Sequence, residues 1–183
     1  YYQSIDGVLF NRPKANNEIT LIQYPPKSNR TKYYIPEGTI TISPYAFEKS
    51  EILQSITTST QLKTIGEYAF SKCILLYEFY YVSREELTMN SYQFDGCSSL
   101  KTIKTLIPRN EQTLKRLLKL STSIEISPVL IIGQLEENGS TRYIYDSSEL
   151  KKLIIYGEGK VETLGWALNV EEIEEILIEA ILL

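Results

Sequence analysis

The sequence predicts a β-rich solenoid, with one short strand in each coil of 23–26 residues and a single domain over residues 1–183. Two observations predict it. First, an aromatic anchor recurs: Tyr45-Ala46-Phe47, Tyr68-Ala69-Phe70 and Tyr92-Gln93-Phe94 set their phenylalanines 23 and then 24 residues apart. Second, common slots, mostly apolar, follow each anchor and a weaker copy at Ile144 at fixed distances. Three positions on stand Ser50, Cys73, Cys97 and Ser147; six on, Leu53, Leu76, Leu100 and Leu150; nine on, Ile56, Phe79, Ile103 and Leu153. One such repeat cannot bury its apolar side alone, whereas stacked repeats bury a continuous core.

Each element follows from local pattern. Gly7-Val8-Leu9-Phe10 and Thr20-Leu21-Ile22-Gln23-Tyr24 read as strands of an N-terminal hairpin, joined by the polar stretch 11–17, and Pro25-Pro26 and Pro36-Glu37-Gly38 read as turns. Upstream of each anchor, Ile42, Ile65, Met89 and Leu164 share an apolar slot, followed in two coils by Gly66 and Gly165. The anchors themselves read as short helical or irregular turns. The segments nine residues further on alternate with period two, as strands do. Between Phe94 and Ile144 there is room for one more coil, with a helix over 110–120 (Asn110 as its cap) and a strand at Ile124-Glu125-Ile126 ended by Pro128. A hairpin insertion over 129–145 turns at Asn138-Gly139. Residues 170–183 fit either a capping helix with an apolar stripe or a last repeat with Ile176-Leu177-Ile178 as its strand. If nothing covers that end, Ile181, Leu182 and Leu183 are a route to self-association. The chain opens at Tyr1-Tyr2 without Met and with no leader pattern, and is read as part of a longer protein.

Composition excludes several functions. The chain has no histidine, so Ser-His-Asp and Cys-His catalysis and every His-based zinc site are ruled out, and two cysteines are too few for a four-thiolate site. A net charge of −4 argues against nucleic acid as a partner, since phosphate binding needs clustered Lys and Arg. No apolar run is long enough to insert in a membrane. No Gly-rich phosphate loop occurs, Gly157-Glu158-Gly159 being only a turn signal, and no cofactor is expected. The aspartates Asp95 and Asp146 fall in repeat turns, where Asp is a common turn former. The expectation is therefore a protein that is not an enzyme.

The slots Ile65-Gly66-Glu67-Tyr68-Ala69-Phe70-Ser71-Lys72-Cys73-Ile74-Leu75-Leu76 resemble the BspA-like leucine-rich repeats. Phe94-Asp95-Gly96-Cys97-Ser98-Ser99-Leu100-Lys101-Thr102-Ile103 is similar, as is the opening Ile5-Asp6-Gly7-Val8-Leu9-Phe10 with Leu21-Ile22-Gln23-Tyr24-Pro25 and Ile35-Pro36-Glu37-Gly38. The match is close over 5–108 and weaker over 109–183, where Cys and Phe slots are replaced. The resemblance implies a right-handed leucine-rich-repeat solenoid with strands lining a concave face. It also implies a cell-surface or secreted protein of a host-associated bacterium or parasitic protist, acting in adhesion. It brings no catalytic residues with it.

Strand alternation predicts the residues between the inward slots. One row runs Thr57, Tyr80, Lys104, Glu125, Ile154 and Leu177; a second runs Ser55, Glu78, Thr102, Ser123, Lys152 and Glu175. These rows are expected on the concave surface, where solenoids usually bind. Tyr80 is the candidate anchor, with Glu78, Lys104, Thr57, Thr102, Glu125 and Lys152 around it. The competing reading is an ordinary solvated face, because few residues of any interface carry binding energy. The partner expected is a protein, such as a host extracellular-matrix or cell-surface protein. The competing function is a structural spacer with no specific ligand. Cys73 and Cys97 share one slot in successive coils and are read first as buried thiols, with a disulfide as the alternative. Asn29-Arg30-Thr31 and Asn138-Gly139-Ser140 are glycosylation patterns, usable only in a protein secreted by a eukaryote.

Overall fold

The structure, a computed structural model, describes residues 1–11, 18–83, 85, 87–89 and 92–105, and beyond them the backbone of five strands within 125–180. The chain packs as two compact units, Tyr1–Ile126 and Ser127–Leu183. Each is described by itself.

The first unit begins with a hairpin that the sequence reading did not include. β1 (Tyr2–Ile5) pairs antiparallel with β2 (Val8–Asn11), Ile5 opposite Val8, so the loop is the dipeptide Asp6-Gly7. Both loop residues have positive φ, 50° and 80°, the type I′ geometry that matches strand twist. Asp-Gly is the sequence signal for this turn. Arg30 Nη1 donates to the Asp6 carbonyl at 2.8 Å and ties the turn to the first coil. β2 then pairs antiparallel with β3 (Ile19–Gln23), the hairpin expected from the sequence.

From β3 onward the chain coils, and each coil contributes to two parallel ladders. In the first, β3 pairs with β5 (Thr39–Ile42), β5 with β7 (Thr64–Ile65) and β7 with β9 (Thr88–Met89), setting Leu21, Ile42, Ile65 and Met89 in register. In the second, β4 (Lys32–Tyr34), β6 (Ser55–Thr57), β8 (Glu78–Tyr81) and β10 (Thr102–Thr105) align Tyr33, Ile56, Phe79 and Ile103, and β11 (Glu125–Pro128) follows at the edge. The second ladder holds the strands that alternation predicted. The first adds a further short strand to each coil; two-residue strands such as Thr64-Ile65 are too short to leave an alternating pattern in the sequence.

The anchors form stacked turns rather than helices. In the coil of Phe47, the amides of Ala46, Glu48 and Ser50 bond the carbonyls of Ser43, Tyr45 and Phe47 three residues back. Tyr45 and Lys49 occupy the third turn position with φ of 59° and 56°, as type II turns require. The same pattern recurs at Lys72 (59°) and at Gly96 (73°), where glycine removes the steric cost. Coils bond one another through these turns: Tyr24 N to Ala46 O, Phe47 N to Ala69 O and Phe70 N to Gln93 O, at 2.8, 2.7 and 2.8 Å.

The core lies between the ladders and the turns. Leu53, Leu76 and Leu100 fill it beside an aromatic column in which Tyr24, Phe47, Phe70 and Phe94 stack at centroid spacings of 4.9, 4.9 and 5.1 Å. Phe79 meets Phe70 and Phe94 edge-on at 5.2 and 4.9 Å. Tyr24 stands 23 residues before Phe47 and is the first member of the column, although its place at the end of a strand pattern hid it from sequence reading.

In the second unit, β12 (Ile131–Gln134) and β13 (Arg142–Asp146) pair antiparallel, as the insertion predicted; β13 pairs antiparallel with β14 (Lys152–Gly157), and β14 pairs parallel with β15 (Glu175–Ala180). Residues 175–180 are thus a strand, not a capping helix, with Lys152 opposite Glu175 and Ile154 opposite Leu177. The expected helix over 110–120, the Asn138-Gly139 turn, Ser123, the Leu164-Gly165 slot and residues 181–183 lie outside the described residues.

Candidate interaction face

The second ladder builds the candidate site. Pairing sets Tyr34, Thr57, Tyr80 and Lys104 in one row and Lys32, Ser55, Glu78 and Thr102 in the other. In β6, β8 and β10 the rows hold the expected residues, each extended by a residue of β4. Tyr34 and Lys32 were missed because β4 lies before the first full anchor; the 23-residue step from Tyr33 to Ile56 was the signal that finds them. Glu125 lies in β11, next to β10 in the same sheet. Lys152 lies in β14, in the other unit.

Exposure departs from expectation. Thr57, Tyr80 and Lys104 retain only 2%, 1% and 6% of their surface, whereas Glu78 and Thr102 are half-open. Part of the cover comes from the ladder itself, because parallel strands set in-register side chains only about 4.8 Å apart. The Tyr80 hydroxyl donates to Glu78 Oε1 at 3.2 Å, and the Lys104 ammonium lies 5.8 Å from the Tyr80 ring centroid, within cation–π range. Burial, and next the Glu78 charge, push the Tyr80 hydroxyl well above the usual tyrosine range. A hydroxyl so held is a hydrogen-bond donor and not a nucleophile. The row can thus offer hydrogen-bond donors, acceptors and charge of both signs to a partner.

A second surface feature was present in the sequence only as a repeat. Tyr45, Tyr68 and Tyr92 stack on the outer turns at 5.4 Å spacings with interplanar angles of 11° and 9°, and Tyr45 and Tyr92 are 47% and 43% exposed. All three have positive φ, 59°, 54° and 65°, which throws the side chain outward from the turn.

Among the described residues, no group of three or more His, Cys, Asp or Glu is placed to hold a metal ion, and no helix is long and apolar enough to cross a membrane. Asn29 is exposed in the loop before β4, and Asn138 lies outside the described residues.

Coils joined by in-register parallel ladders, with stacked turns between them, define a β-solenoid of the leucine-rich-repeat class. Residues 24–134 match the BspA type leucine rich repeat region in six copies, and the chain belongs to that family. Among solved structures it is similar to a leucine rich cell surface protein of Faecalibacterium prausnitzii, with 25% identity, a TM-score of 0.49, and coverage of 69% of this chain and 39% of that one. It is also similar to the pneumococcal vaccine antigen PcpA, with 20% identity, a TM-score of 0.40, and coverage of 71% and 48%. The chain thus spans less than half the length of either. No curated protein matches it.

Proposed function

We propose that this chain is an interaction module of a cell-surface or secreted protein. It binds a protein partner, such as a host extracellular-matrix or cell-surface protein, along the face of β4, β6, β8 and β10. The observation that carries this reading is the pair of mixed-charge rows aligned by strand pairing, with Glu78 and Thr102 half-open and Tyr80 and Lys104 bracing them from beneath. Membership of a repeat family that generally serves in interaction rather than catalysis supports it. Glu78 and Thr102 make first contact, and Glu125, on the neighbouring strand β11, extends the row. Tyr80 supplies the rigid ring that fixes Glu78, and becomes an anchor only when a partner displaces its cover.

The burial of Tyr80 and Lys104 favours a second reading, a structural spacer whose ladder is an internal support and meets no ligand. The two separate in one experiment. The immobilised chain is screened by biolayer interferometry against a panel of extracellular-matrix and cell-surface proteins. Saturable binding to a panel member is the interaction module's outcome, and absence of binding across the panel is the spacer's.

A further inference from the structure

We propose that Cys73 and Cys97 are a redox pair that closes into an inter-coil disulfide under oxidising conditions. The two residues are the only cysteines of the chain and are free thiols in this structure. They occupy the same position of successive coils, three residues after Phe70 and Phe94, whose rings stack at 5.1 Å. Strands paired in register stand about 4.8 Å apart, a spacing inside the roughly 4.4–6.8 Å of Cα separation that a disulfide spans. The coils are fastened on either side of the pair, by Phe70 N to Gln93 O at 2.8 Å and Lys72 N to Asp95 O at 2.7 Å, so the spacing is held.

Both side chains point the same way along the stack. The Cys97 thiol donates to the Phe70 carbonyl at 3.0 Å, the same oxygen that accepts the Cys73 amide at 3.2 Å, so the Cys97 sulfur lies against the turn that carries Cys73. The Cys73 thiol sits in the same relation to the coil before, on the Phe47 carbonyl at 3.0 Å. There the slot holds Ser50, whose hydroxyl donates to the same carbonyl at 2.8 Å, so Cys73 has one sulfur neighbour only. The nearness of the two sulfurs separates their acidities. The hydrogen bond from Cys97 lowers Cys73, while Cys73 and then burial raise Cys97. Cys73 is fully buried and Cys97 partly exposed, so Cys97 is the sulfur that opens to solvent.

With hydrogen peroxide as oxidant, the thiolate of one cysteine attacks one peroxide oxygen, the O–O bond breaks, and a sulfenic acid and hydroxide result. The other cysteine's sulfur then attacks the sulfenic sulfur; the S–S bond forms, the S–O bond breaks, and the second oxygen leaves as water. Two thiols and one peroxide give one disulfide and two waters.

The test treats the folded chain with peroxide, alkylates what remains with N-ethylmaleimide, and reads intact mass and peptide map. The expected product has lost two hydrogens, carries no alkyl group and yields one linked peptide joining Cys73 to Cys97. Closure is expected to be at least about tenfold faster in the folded chain than in urea, because the fold holds the thiols together. The product is expected to unfold at a midpoint roughly 5 °C higher, reversed by a dithiol reductant. In Cys73→Ser, dimedone is expected to trap the partly exposed Cys97 as the sulfenic acid. Two alkyl groups on the treated folded chain, over-oxidation of each cysteine separately, or closure faster in urea than in the fold would overturn the proposal.

Discussion

Gly66 lies directly beneath Pro44 of the preceding coil. A β-carbon at Gly66 would come within 2.7 Å of both Pro44 Cδ and the Ser43 carbonyl carbon, a distance that real β-carbons essentially never show. The Gly66 amide bonds the Ile42 carbonyl at 2.9 Å in the same corner, so the glycine is where one coil's backbone seats on the next. The sequence marked this position by its recurrence, but only the close approach explains it.

Gly66→Ala is therefore expected to cost about 2 kcal/mol, the range of overpacking against backbone that cannot give way. Gly7→Ala is the control: its φ of 80° is strained for alanine, yet nothing lies within 4 Å of the added carbon. Its cost is expected to be about 1 kcal/mol. Urea unfolding of both variants, followed by circular dichroism, checks the order.

Phe70 stands in the middle of the aromatic column, against Phe47, Phe94 and Phe79. Phe70→Ala removes contacts on three sides where packed coils cannot collapse, and is expected to cost about 3–5 kcal/mol. A loss of less than about 1 kcal/mol by urea unfolding would mean that the column is not packed core.

Lys49 holds a left-handed φ of 56° at a turn position where the equivalent residue two coils on is Gly96. Lys49→Gly relieves that conformation at the expense of a more flexible unfolded chain. The net expectation is a gain of about 0.5 kcal/mol, read as a higher thermal midpoint.

Stability is expected to fall in alkali. Burial pushes the Tyr81 hydroxyl up to about 12 from a model-compound value of 10.0, and burial also raises Tyr24, Tyr33 and Tyr80. A raised folded pKa favours the neutral form in the fold, so the stabilisation is complete below the unfolded value. As pH climbs from 10 to 12 the unfolded chain loses protons that the fold keeps, and stability drops by up to about 1.4 kcal/mol per pH unit for each such tyrosine. Urea midpoints measured at intervals from pH 8 to 12 should stay level to about 10 and then decline. Tyr81→Phe, which also loses the hydroxyl's bond to the Leu62 carbonyl at 3.0 Å, should start lower and decline less.

Much of this was legible in the sequence because repetition writes three-dimensional register into one-dimensional spacing. The pairs Thr57–Tyr80, Tyr80–Lys104, Ser55–Glu78 and Glu78–Thr102 were readable before any coordinates, and Lys152–Glu175 likewise. What stayed hidden has local causes. The strands Thr64–Ile65 and Thr88–Met89 are too short to alternate. Tyr24 and Tyr34 precede the first complete anchor, so no template called for them. The cover over Tyr80 is tertiary: alternation says which way a side chain points, and says nothing of what lies above it. The hairpin at Asp6-Gly7 carried its own turn signal, obscured because Gly7 was read as the first residue of the next strand.

The measurement that bears most directly on the interaction face is the affinity of the first partner found in the binding screen, compared between the parent chain, Glu78→Lys on the inner row and Tyr45→Ser on the outer turns. Binding at the face described predicts at least about a tenfold loss for Glu78→Lys and none for Tyr45→Ser, since a reversed charge at a contact costs more than about 1.4 kcal/mol. An unchanged affinity for Glu78→Lys with a loss at Tyr45→Ser would contradict the account and move the site to the stacked tyrosines of the outer turns.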